Sequence, residues 1–357
     1  MKLRRFIFGF LFISLSGIGF AQNTQATQEK VQKAKKELNV QICSITENIL
    51  SDFEQILPEA NSLSGVQPDA FIGKLFPSVL PHLSVGINAS VTPVKSDFLT
   101  NNVKQISSVV ADMLAEVGAT TGKTFAFDFP FPEQLPYPAA SVSARVGGLV
   151  LPFDVGLWGI TTGQIFHGKS IAGSPVFDFD YTAFGADVRY AVLEGLGVFP
   201  KISVGAGYQF VRQNIGIAFA KDVAIDFEDD DGNKYHGDGR MDSGFNLKVD
   251  THTIFGQIQV SKTLLIVTPY LGLKALFTTS NSAYDWKYEC SLNETKINAL
   301  SDGASKSYTH SFSEVGIQTQ IFGGLSLNLA IFQTSFNAAY NFSSKMFTGS
   351  LGMNLKL

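Results

Sequence analysis

The chain is short of the residues on which most functional classes depend. Among 357 residues there are two cysteines, five histidines and two tryptophans, and charged residues make up 16%. Cys43 and Cys290, a single widely separated pair, cannot build a disulfide framework or a zinc cluster. A net charge of −4 provides no basic surface for nucleic acid. No segment beyond the extreme N-terminus approaches the ~20 continuous apolar residues of a membrane helix. P-loop, nucleophile-elbow and dinucleotide fingerprints are missing too, so no enzyme, cofactor or metal is expected. What is abundant is 31 Phe, 33 Gly and a 45% apolar content, with a mean hydropathy of +0.14. That composition is too apolar for disorder, and without membrane helices it points to strands that cross a bilayer.

Residues 1–21 have the form of a secretory signal. Lys2, Arg4 and Arg5 precede an apolar stretch from Phe6 to Phe20, and Gly19 and Ala21 supply the small residues of a cleavage site. The mature chain then leaves the cytoplasm. Residues 22–80 have helical character: Val31, Leu38, Ile42, Ile45, Ile49, Phe53 and Ile56 form one stripe, which Pro58 closes.

From Pro81 the period changes from 3.6 to 2. In 82–92, Leu83, Val85, Ile87, Ala89 and Val91 share one face, and Ser84, Gly86, Asn88, Ser90 and Thr92 the other. Further strands are expected near 139–150, 153–162, 177–192, 198–219, 244–260, 263–278, 308–322, 325–341 and 345–357, about ten in all (roughly 8 to 14). Short connections fall at Leu151-Pro152, 193–197, Ser261-Lys262 and Gly323-Gly324; long ones fall at 93–138, 163–176, 220–243 and 279–307. Alternating short turns and long loops, with an even strand number, is the pattern of an antiparallel membrane barrel with its short turns in the periplasm. The expected organisation is therefore a signal peptide (1–21), an N-terminal helical segment (22–80) and an all-β membrane barrel (81–357). Within the first long loop, 93–138, a second helix is expected from Phe98, Ile106, Val110, Met113, Leu114 and Val117, followed by a Pro-rich stretch. Four prolines between 130 and 138 argue against a central strand there.

One strand face is apolar, as in Leu271, Leu273 and Phe277 or Ile317 and Ile321. The other carries charge, and its members are the expected lumen-facing residues: Arg145, Asp154, Asp187, Arg189, Lys201, Lys274 and Glu314. The charged face is also small, rich in Gly and Ser, which leaves volume for water, a solute or a helix. The 93–138 helix is the expected occupant, since both its ends are tethered to the wall; the N-terminal helix would then remain in the periplasm, with Cys43 and Cys290 on opposite sides of the bilayer. The strands at 244–260 and 325–341 change phase midway, as a bulge or an extension beyond the bilayer would require.

Two clusters invite a chemical reading. The acidic run 228–242 departs from the calcium-loop spacing and is read as a solvated outer loop. Asp250 and His252 share a strand face, but a catalytic pair would need a nucleophile or positioned water beside it.

At the C-terminus, Phe347-Thr-Gly-Ser-Leu-Gly-Met-Asn-Leu-Lys-Leu357 resembles the assembly signal of bacterial outer-membrane barrels, with Leu357 in place of the usual terminal aromatic. The helical N-terminus ahead of the strands is similar in architecture to transporters of the long-chain fatty-acid type, though their hatch motifs are missing. The resemblance implies an outer-membrane location, the lipid bilayer and the barrel-assembly machinery as partners, and passage or binding of a small solute, hydrophobic ones included. A structural or surface-interaction barrel is the alternative.

Overall fold

The structure is a computed structural model. It describes helical positions between 36 and 60, then 61–74, 82–95, 133–162, 166–167, 176–195, 197–228, 234–292, 295–296, 302–310 and 317–356. Residues 1–21 and the expected helix at 97–117 lie outside the described residues.

Thirteen strands follow one another: β1 (Leu83–Lys95), β2 (Gln134–Gly147), β3 (Phe153–Thr161), β4 (Phe166–His167), β5 (Val176–Glu194), β6 (Lys201–Glu228), β7 (Lys234–Ser261), β8 (Val267–Leu292), β9 (Thr295–Lys296), β10 (Asp302–His310), β11 (Ile317–Leu329), β12 (Phe332–Asn341) and β13 (Phe347–Lys356). They make ten positions in a closed antiparallel wall, in the order β1-β2-β3-β5-β6-β7-β8-β11-β12-β13 and back to β1. The two-residue β4 prolongs β3 along the edge of β5, and β9 and β10 prolong β11 along the edge of β8. Closure is made by β1 on β13, with Val85 opposite Leu355 and Val91 opposite Gly349. A ring with no free edge satisfies every wall strand on both sides, which a bilayer demands.

The expected strand number holds, and several boundaries move. The turn assigned to Gly323-Gly324 falls instead at Ala330-Ile331, between Leu329 and Phe332. The glycine pair sits in mid-strand, where a side chain on Gly324 would collide with the Phe336 backbone. The phase change in 325–341 is thus a hairpin turn. The phase change in 244–260 is no bulge: β6 and β7 pair continuously from Lys201↔Ser261 to Glu228↔Lys234. Leu247 and Val249 are buried inward, while Ile254 and Ile258 are exposed outward, so the apolar set changes face where the wall passes out of the bilayer. The acidic run lies largely in this hairpin, with 234–242 in β7. Likewise the Pro-rich stretch enters the sheet, Pro136 opposite Pro93 and Pro138 opposite Val91. Most of the long connections expected at 220–243 and 279–307 are strand rather than loop.

Candidate functional site

The lumen is occupied by the chain's own N-terminal segment. A helix descends to residue 60, and 61–74 continue as turns and irregular backbone. Leu57, Glu59, Ala60 and Leu63 are fully buried, and Leu50, Asn61, Ser62, Ser64, Gln67 and Asp69 nearly so. Past the helix end, backbone carbonyls left without local partners take donors from the wall. Ser90 Oγ donates to Ala60 O (3.1 Å), Lys274 Nζ to Ser62 O (2.7 Å), Ser141 Oγ to Ser64 O (2.7 Å) and Gln259 Nε2 to Gln67 O (2.8 Å). Lower down, Arg189 Nη1 donates to Asp69 O (2.9 Å) and Lys201 Nζ to Phe71 O (2.8 Å).

The plug's side chains complete the attachment. Glu59 accepts from Gln320 (2.9 Å), Asn341 (2.6 Å) and Thr348 (3.4 Å). Asp69 accepts from Lys356 (2.6 Å) and Gln333 (3.1 Å), and Gln67 Nε2 donates to Ser84 (3.2 Å) and Gln333 Oε1 (3.1 Å). With Tyr181 on Asn61, Ser282 on Glu54 and the Ile72 amide on Asp154, the plug is bonded to every one of the ten wall positions. The expectation that the N-terminal helical segment stays outside the barrel is corrected, while the expected place of the 93–138 helix lies outside the described residues. The reason is chemical: a lining of Ser, Gln, Lys and Arg donors matches the carbonyls that are exposed once the N-terminal helix ends.

Beside the plug, four charges neutralise one another. Arg145 donates to Asp154 (2.6 Å) and Asp187 (2.5 Å), and Arg189 takes both oxygens of Asp154 (2.9 Å each). All four are nearly inaccessible; the fork geometry of Arg suits such bidentate pairing. The small lining is filled from neighbouring strands as well as by the plug. Trp158 lies over Gly185, Phe255 over Gly207 and Phe322 over Gly272, and Gly65 of the plug packs on the Trp158 ring. Lys274 Nζ stands over the Phe255 ring, 4.6 Å from its centre.

The outer face has the opposite chemistry. Ile87, Val142, Leu157, Ile254, Leu273 and Leu351 are all more than half exposed, while Gln259, Gln333, Asn341 and Thr348 inside are at most 1% exposed. Aromatic residues rim this apolar band, Phe184, Tyr208, Tyr340 and Phe347 at one end and Tyr190, Phe199 and Phe332 at the other. No protein-family model and no curated protein matches the chain. Solved structures similar to it include the outer membrane protease OmpT of Escherichia coli, at 10% identity over 79% of this chain and 99% of that one, with a TM-score of 0.35. Others are the translocator domain of the autotransporter NalP of Neisseria meningitidis (8%, covering 79% and 91%, TM-score 0.31) and the monoaromatic hydrocarbon channel CymD (9%, covering 77% and 88%, TM-score 0.26). Likeness at that level carries no argument about activity; the closed ring and its inverted faces decide the class. The chain folds as a membrane-type β-barrel, closed, apolar outside and polar within.

In this barrel Arg145, Asp154, Asp187, Arg189 and Lys274 are buried inside, and Lys201 is part-buried at the short-turn end. Glu314 lies outside the described residues. The residues missed by sequence reasoning are those of the plug, Glu59, Gln67 and Asp69, and the neutral wall partners Gln259, Gln320, Gln333 and Asn341. Asp250 and His252 point outward at the rim of the apolar band. Asp250 holds Arg212 through two bonds of 2.8 Å, and His252 Nδ1 bonds Tyr208 Oη at 2.7 Å. Each has a structural partner, and among the described residues no group of His, Cys, Asp and Glu is arranged to hold a metal.

Proposed function

We propose that this barrel is a non-catalytic outer-membrane conduit for a small solute, closed in the arrangement described and opened by displacement of its N-terminal plug. The observation that carries this reading is the nature of the plug's attachment. Hydrogen bonds and ion pairs that water can replace tie it to every wall position. Among the described residues the buried apolar clusters are two small groups: Leu63, with Val66 beside it, against Tyr270, Phe322 and Ala339, and, within the wall, Trp158 with Phe255 and Leu276. The same aromatic groups would give a hydrophobic solute its surface once the plug shifts, while the Arg145–Asp154–Asp187–Arg189 cluster would orient polar ones.

In a planar bilayer the intact protein should be closed with rare openings, and deletion of 36–72 should give steady conductance while heat-modifiable gel mobility shows the barrel still folded. If both proteins fold and both stay silent, the conduit reading fails. The sealed lumen, together with β6–β8 projecting beyond the apolar band, would then favour a structural or surface-interaction barrel.

A further inference from the structure

The plug's bonds are ordered along the barrel, and the order fixes which way the chain runs. Phe71 meets Lys201, the first residue of β6, and Asp69 meets Lys356, the last residue of β13. Gln67 meets Ser84, the second residue of β1. All three wall residues lie at the short-turn end. Ser62 meets Lys274, seven residues up β8 from Val267, and Glu54 meets Ser282, fifteen residues up. Glu47 pairs with Lys306 at 3.0 Å, and Lys306 stands opposite Tyr284 in the ladder. As the residue number falls from 71 to 47, the partner rises steadily toward the long-loop end.

Fifteen residues of strand span roughly 50 Å, which at a tilt of about 40° is close to 40 Å of height. The hydrocarbon core is ~30 Å thick, so Glu54 already stands at the far boundary and Glu47 beyond it. Lys36 and Val40, both exposed, lie further along the same helix. Short turns face the periplasm in outer-membrane barrels, and the long-loop end faces out.

We infer that the chain threads its own barrel, so that the described helix positions from Lys36 to Glu47 stand on the outer side of the membrane. The barrel then has a second role besides any conduit: it carries that stretch of its own helix across the bilayer and holds it at the cell surface. This revises the expected separation of the cysteines, because Cys43 in the helix and Cys290 near the end of β8 both lie toward the long-loop end.

The test is labelling of whole cells with a maleimide on a polyethylene glycol chain too large for porins. In a background of Cys43→Ser and Cys290→Ser, three single cysteines are compared: Val40→Cys in the helix, Lys287→Cys high on β8, and Val198→Cys in a short turn, all three native residues being well exposed. Val40→Cys and Lys287→Cys should label equally on intact and permeabilised cells, and Val198→Cys only after permeabilisation. Labelling of Val40→Cys only after permeabilisation, while Lys287→Cys is open, overturns the inference. So does the reverse behaviour of the two wall controls, which would mean an inverted barrel. Trypsin offers an independent reading, since cutting at Lys36 on intact cells should trim the wild-type chain, and protection there until lysis would also refute it. Neither assay depends on conductance, so the conduit proposal and the threading stand or fall separately.

Discussion

At the scale of single residues, space inside the barrel is assigned ring by ring. Gly185 is where Trp158 lies, and even one methyl group there would enter the indole. Gly185→Ala should therefore destabilise the folded barrel by about 1–3 kcal/mol, as overpacking does. Gly197, in a short turn, has open space around it, and its φ of +59° is its sole demand; Gly197→Ala should cost only about 1 kcal/mol, from the left-handed backbone alone. Urea titration of both variants in detergent, against wild type, measures the contrast. Equal costs would mean that the ring over Gly185 moves aside freely. Glycine in this sequence signals a ring or a close backbone approach at least as often as a turn, which is why Gly323-Gly324 misleads. The actual turn at Ala330 carries a φ of +54° on a residue that gives no such warning.

At the scale of elements, the strands were legible because a barrel wall in lipid enforces strict alternation over each crossing. The outward apolar residues of β8, Leu271 and Leu273, appear at period 2 with Lys274 on the opposite face. Burial follows that alternation. Leu351→Arg, on the outer face of β13, should cost about 2–4 kcal/mol near the bilayer midplane. Ser350, its inward neighbour, should tolerate Ala with far smaller loss, and refolding into lipid vesicles at graded urea tests the pair. Comparable losses would place the faces the other way round. What alternation cannot show is where the bilayer ends, so the outer halves of β6, β7 and β8 read as loops. There the outward face turns polar and the apolar residues, Leu247 and Val249 among them, are buried inward. The plug below residue 60 was illegible for a different reason: Asn61-Ser-Leu-Ser-Gly-Val-Gln-Pro-Asp69 has neither period nor hydrophobicity. It is buried because the cavity it enters is itself polar, and that complementarity exists only once the wall is closed.

At the scale of the whole molecule, the ring joins its most distant parts. β1 and β13, which close it, pair residues as far apart as Val85 and Leu355. Seen from inside, the plug spans that junction: Ser90 and Ser84 of β1 hold Ala60 and Gln67, while Thr348 and Lys356 of β13 hold Glu59 and Asp69. A seam between strands so remote in sequence is slow to find by chain diffusion, because loop closure must precede any gain in contacts. A segment that can bind both lips before they meet acts as a mandrel on which the sheet is wound. Its contacts would then belong to the folding nucleus, and weakening them would slow closure more than it hastens opening. Glu59→Gln combined with Asp69→Asn should lengthen the refolding time in detergent while leaving the unfolding rate in denaturant nearly unchanged. If the unfolding rate alone rises, the segment is slotted into a barrel that has already been wound.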